Sequence, residues 1–215
     1  MGNWGQGVAI QSTKPFYGVR TEITLPGVCR LEGPPGSNYL SIYIGFMAGQ
    51  DPRAEVGFML YSGKIWWTSI LNGGRASKAS PLVWQQQDRL MLIPGLFRKQ
   101  TIQIAMTDAG HFEYFDGFQR MSSPLALPIS RETYNQGGLL VRACIGWCHG
   151  IAGWAEFDEM SVDAMSVLDG HGNWSSLTEY SFKILQRAVL GSTYTNGLPL
   201  RASYHPPNPD PPHIG

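Results

Sequence analysis

The 215 residues predict an all-β protein, in which two antiparallel sheets pack as a sandwich of jelly-roll type and an extended proline-rich tail follows at the C-terminus. Three observations carry the prediction. Asn38 to Leu71 reads as three consecutive strands with apolar and other residues alternating at a period of two. Glycine and proline turn signals punctuate the remainder at short intervals. Neither a fixed repeat nor a strand–helix alternation is visible, which argues against a propeller, a solenoid or a parallel sheet.

The elements follow in order. Phe16–Leu25 alternates Tyr17, Val19, Thr21, Ile23 and Leu25 with other residues, and Pro26-Gly27 stops it. Arg30–Ser37, which contains Pro34-Pro35-Gly36, reads as a loop. In Asn38–Ala48 the residues Leu40, Ile42, Ile44 and Phe46 define one face and Tyr39, Ser41, Tyr43 and Gly45 the other. Ala54–Tyr61 and Lys64–Leu71 flank Ser62-Gly63 and predict a hairpin on a two-residue turn. Pairing Tyr61 with Lys64 would put Phe58, Leu60, Ile65 and Trp67 on one face, and Met59 with Trp66 on the other.

Asn72–Pro81 is small and polar and reads as an exposed crossing, while Val83–Leu92 suits either a short helix or a strand. Lys99–Thr107 and His111–Phe115 form a second hairpin about Asp108-Ala109-Gly110. Met121–Pro128 reads as a loop bounded by proline. Gly138–Trp147, Trp154–Val167 and Glu179–Leu185 are further strands. The expected division is one sandwich domain over 1–204 and a tail over 205–215, whose prolines cannot donate a sheet's hydrogen bonds and favour polyproline II.

Sixteen basic and sixteen acidic residues give zero formal charge, with no basic run suited to nucleic acid or an anionic membrane. No apolar run approaches the roughly 18 residues of a membrane-spanning helix. Charged residues are only 15% of the chain and glycines number 26, a surface composition that points to neutral partners and a secreted or cell-surface location, with the leader absent from the given chain; a cytoplasmic location is the alternative. Three cysteines, Cys29, Cys144 and Cys148, allow at most one internal disulfide. In an extended strand Cys144 and Cys148 would lie about 13 Å apart, so a bridge between them would need a tight loop over residues 145–147. Cys144, Cys148 and His149 lack the paired spacing of a zinc ribbon, and buried thiols are the expectation. No cofactor and no metal are expected.

Asn3-Trp4-Gly5, Thr24-Leu25-Pro26, Ile42-Tyr43-Ile44-Gly45, Met59-Leu60-Tyr61-Ser62-Gly63, Ile65-Trp66-Trp67 and Ala155–Val162 together resemble the concanavalin A-like sandwiches, and most of all the glutamic peptidases, or eqolisins. The resemblance covers residues 3–71 and 152–185. It implies the sandwich fold and, for a peptidase, a glutamine and a glutamate on the concave sheet. Tyr61 stands where that glutamine would be expected, and no strand matches the one that bears the glutamate. Without the amide an oxyanion loses its main support, so the resemblance implies the scaffold more than the activity.

Two constellations carry chemistry. Glu156 and Asp158 would share one strand face about 7 Å apart, a separation compatible with a pair of glycosidase carboxyls. The retaining glucanase signature on this fold has a third acid at the next alternate position, where this chain has Met160. Tyr43, Met59, Tyr61 and Trp66 form the other, an aromatic platform for sugar rings if their face is the concave one; the competing reading is that loops bury that face. His111 and Glu113 could share a face on one hairpin strand, but two ligands do not make a site. His171 lies in a sequence suited to a turn, Asp169-Gly170-His171-Gly172-Asn173. Binding of a neutral glycan or a protein surface is thus the first expectation. Self-assembly, with the tail clasping a neighbour in a homo-oligomer, is the second, and hydrolysis by Glu156 and Asp158 the third.

Overall fold

The computed structural model describes residues 5–32, 39–48, 51–61, 66–72, 84–86, 99–107, 112–116, 119–121, 139–148, 154–185 and 192–205. They form sixteen strands: β1 (Gly5–Pro15), β2 (Gly18–Thr24), β3 (Cys29–Glu32), β4 (Tyr39–Ala48), β5 (Asp51–Tyr61), β6 (Trp66–Asn72), β7 (Trp84–Gln86), β8 (Lys99–Met106), β9 (Phe112–Asp116), β10 (Gln119–Met121), β11 (Leu140–Cys148), β12 (Trp154–Leu168), β13 (Trp174–Ser176), β14 (Tyr180–Leu185), β15 (Ser192–Tyr194) and β16 (Leu200–Tyr204). One sheet has seven strands in the order β14-β1-β11-β4-β5-β6-β7. The other has nine, with β10-β9-β8-β2-β12-β16-β15 in sequence and β3 and β13 also on β12. Every pairing is antiparallel. The predicted jelly-roll sandwich is the observed architecture.

The alternation that predicts the strands also builds the core. Val8 and Ile10 of β1, Ile42, Ile44 and Phe46 of β4, and Val56 and Phe58 of β5 point inward. They meet Val19 and Ile23 of β2, Ile102 and Ile104 of β8, Val162 of β12 and Leu200 of β16. Each such side chain taken out of water contributes about 1.5–3 kcal/mol. Trp147 of β11 is the largest of them. Its ring lies 5.4 Å from Phe157 and 6.1 Å from Tyr204, across the sandwich. Its indole N–H donates to Gln6 Oε1 at 2.9 Å, which satisfies the one polar group that the ring brings inside.

Four expectations are corrected. Leu60 pairs with Trp66 and Met59 with Trp67. Ser62-Gly63 itself lies outside the described residues, but this register differs by one residue from the one a Tyr61–Lys64 pairing would give, and a slip of one residue exchanges the faces. Position 67, not 66, therefore stands opposite Met59. The stretch from Arg30 is not all loop, because β3 pairs with the start of β12. Met121 likewise belongs to β10, on β9. Met160 does not continue the face of Glu156 and Asp158: the β12–β16 register shifts between Phe157 and Met160, and a bulge there turns both of these residues into the core. The turn at His171 is as expected; Asp169 Oδ1 accepts the N–H groups of His171 at 2.8 Å and Asn173 at 2.9 Å, and Gly172 takes a φ of +84°.

The crossing at 73–81, residues 87–92, His111, His149 and the tail after His205 lie outside the described residues. Residues 145–147 are extended strand instead of a tight loop, and Cys144 keeps a free thiol.

Candidate functional site

The two outer faces of the sandwich differ. That of the nine-stranded sheet is wet, with Arg20, Lys99, Thr101 and Glu159 exposed. The outer face of the seven-stranded sheet is buried at its centre, although it carries polar groups.

Cross-strand register arranges that face in rows. One row runs Ser181 (β14), Gln11 (β1), Arg142 (β11), Gly45 (β4), Glu55 (β5) and Leu71 (β6). The next runs Lys183, Ala9, Cys144, Tyr43, Gly57 and Ser69, and a third runs Leu185, Gly7, Gly146, Ser41, Met59 and Trp67. The absence of large side chains at Gly7, Ala9, Gly45, Gly57 and Gly146 gives these rows a backbone floor. Long side chains lie across that floor. A Cβ on Gly45 would come within 2.7 Å of Glu55 Cγ, and one on Gly57 would meet Tyr43 Cα and Cβ at 2.5 Å. Glu55 thus leans over Gly45 toward Arg142.

The first row is charged and dry, with Gln11, Glu55 and Arg142 only 5%, 6% and 7% exposed. Gln11 Oε1 accepts from Arg142 Nη2 at 2.9 Å, Arg142 Nε at 3.2 Å and Lys183 Nζ at 3.2 Å, so one neutral amide oxygen gathers two cations. Among the described residues no hydrogen bond or ion pair joins Glu55 to Arg142. Burial therefore dominates at Glu55 and lifts its carboxyl to about 7, with the Arg142 charge pulling the other way. In the second row Tyr43 and Cys144 are hydrogen-bonded side chain to side chain. Burial, then the neighbouring Cys144 and Glu55, hold the phenol well above its ordinary value, and burial pushes the thiol up to about 12. Such a thiol stays protonated and is no nucleophile. Ser41 Oγ donates to the Gly146 carbonyl at 3.2 Å.

Of the four residues expected to form an aromatic platform, Tyr43 is half-buried and Met59 is buried on this face, in adjacent rows. Tyr61 pairs with Tyr39, and the register puts Trp66 opposite Leu60, on the core-facing side of β5. The side chains at 61 and 66 lie outside the described residues. Glu156 and Asp158 stand on the far side of the molecule, on the outer face of the nine-stranded sheet. There His205 Nδ1 lies 3.1 Å from Glu156 Oε1, and Nε2 lies 3.8 Å from Asp158 Oδ1, in solvent. The two expected constellations are therefore not one site.

Glu55, Arg142 and Gln11 went unmarked in the sequence. The available signal was a single charge in each of two otherwise uncharged strand cores, Ala54–Leu60 and Leu139–Trp147. Nothing local said that β11 and β5 would flank the same strand.

The strand order and these rows can be set beside known structures. A crystal structure of scytalido-glutamic peptidase with a transition-state analogue inhibitor superposes with a TM-score of 0.59, covering 95% of this chain and 98% of that one at 15% identity. The fold is similar to that of the eqolisins. SCP-B, a member of the eqolisin family in complex with the tripeptide Ala-Ile-His, gives a TM-score of 0.59 at 14% identity, with 95% and 98% coverage. At such identities the likeness is one of fold. No family model and no curated protein matches the chain.

Proposed function

We propose that the outer face of the seven-stranded sheet binds an extended peptide and that the protein acts as a binding module. The observation that carries this reading is Glu55, a buried carboxyl set in one row with Arg142 and Gln11 on a glycine-lined floor. Strongly perturbed carboxyls of this kind concentrate at functional sites. Half-buried Tyr43 offers apolar surface in the neighbouring row, and a few oriented polar groups among apolar ones are the usual make-up of a ligand site. That one eqolisin is described with a bound tripeptide supports a peptide over the neutral glycan that aromatic residues alone suggest. Titration calorimetry with a panel of short peptides and neutral oligosaccharides tests the reading. A peptide should bind, and Tyr43→Ala should weaken it at least tenfold while the fold persists. Binding of a glycan alone would overturn the peptide assignment, and binding of neither would overturn the module.

A hydrolase is the second reading, favoured by the carboxyl near neutrality, since an acid/base group works best with its midpoint near the operating pH. Glu55, not Glu156 or Asp158, would then be the acid/base, and Glu55→Gln would abolish turnover of a peptide library.

Secretion and tail-mediated assembly are proposals too, resting on surface composition and on the prolines after His205. Deleting 206–215 should convert any oligomer seen by light scattering into monomer. An oligomer that survives the deletion would remove the tail from the account.

A further inference from the structure

We propose that the interval over Gly45, between Glu55 and Arg142, is a subsite for a ligand carboxylate, with Arg142 supplying the charge and Glu55 donating a hydrogen bond. The inference rests on the seven-stranded face being the ligand surface and names the group that face selects.

Two observations carry it. Arg142 is held back toward β1, because Gln11 Oε1 takes both its Nε and an Nη2 proton, while Glu55 leans from the other side over Gly45. A carboxyl and a guanidinium thus lie buried in one row, two strand spacings or roughly 10 Å apart at the backbone, and make no bond to each other among the described residues. Neither has an oppositely charged partner within bonding distance among the described residues, and a third polar group set between them would bridge the two. The second observation is charge. Arg142 and Lys183 converge on a neutral oxygen, and among the described residues neither forms an ion pair. An anion is what this corner lacks, and a planar carboxylate suits the free edge of a guanidinium.

The groups facing Glu55 are Arg142 and Cys144 from β11, Tyr43 from β4, and, beyond Gln11, Lys183 from β14. Burial keeps the Tyr43 phenol and the Cys144 thiol protonated, so of these neighbours Glu55 is the group that switches near neutrality. While protonated it donates to the incoming carboxylate. Once ionised it repels the ligand, so affinity should fall by about tenfold per pH unit above the Glu55 midpoint.

Calorimetry with an N-acetylated dipeptide acid, its C-terminal amide, glucuronate and glucose, at pH 6 and pH 8, tests the subsite. The acid should bind at pH 6 with little proton exchange, bind about tenfold more weakly at pH 8 with uptake of close to one proton, seen by comparing two buffers, and lose affinity in Lys183→Gln, which alters only a half-buried residue at the sheet edge. The amide should bind at least tenfold less tightly than the acid. Glucuronate binding without the peptide acid would assign the carboxylate to a sugar and overturn the peptide source. Equal binding of acid and amide would overturn the subsite and leave the binding face standing. If no probe binds and the carbon NMR midpoint of Glu55 is unmoved by acetate, the interval holds solvent only, and both readings fall.

Discussion

Replacing Glu55 with glutamine will stabilise the protein by about 3 kcal/mol at pH 8 but by only about 1 kcal/mol at pH 5. In the unfolded chain the carboxyl titrates near 4.5; in the folded protein burial raises it to about 7. A raised carboxyl favours the folded state only while both states are protonated, so its contribution is intact below the unfolded value and is lost as pH rises through 7. Above that, folding must bury a negative charge against a distance-weakened pull from Arg142. Glutamine keeps the shape and never ionises. Urea midpoints of the two proteins at pH 5 and pH 8 check this: the wild type should lose stability with rising pH far more steeply than the variant. Parallel pH dependences would show that Glu55 is not buried as a carboxyl.

Gly57→Ala should cost about 3 kcal/mol or more, because overpacking against atoms that cannot move is among the most expensive single changes. The added Cβ would sit at 2.5 Å from Tyr43 Cα and Cβ and closer still to the Ile42 carbonyl. Two of these are backbone atoms of the neighbouring strand, so the strands must part or Tyr43 must leave its place over the floor. A variant that melts within a degree or two of the wild type would show that β4 and β5 do not approach this closely. A variant that folds but no longer holds a peptide would tie the floor to binding.

Much of the scaffold could be read directly. Leu40, Ile42, Ile44 and Phe46 announce β4, and Ile102, Ile104 and Met106 announce β8, because the core-facing positions of each are apolar and alternate with mostly smaller or polar residues. β1 gave no such signal. Both of its faces are buried, its outer positions are Gly7, Ala9 and Gln11, and Gln6 faces the core as the partner of Trp147. Chain-local pattern also cannot see an inserted residue. The bulge before Met160 and the odd spacing between Leu60 and Trp66 each reverse a face, and both spoiled a prediction about which residues share it. The candidate site was hidden for a different reason. Gln11, Glu55 and Arg142 are brought into one row by the local β4–β5 pairing and two pairings between distant segments, β1–β11 and β11–β4, and no one segment contains that information.

The order of the strands in each sheet bears on how the protein can be made. β1 and β2 leave the ribosome before the other described strands, yet each lies inside its sheet: β1 between β14 and β11, and β2 between β12 and β8. Their flanking partners in three of those four cases lie beyond residue 139. Neither sheet can therefore close until most of the chain has been synthesised, and the amino-terminal strands must wait with open edges, the state in which nascent β proteins most need protection from one another.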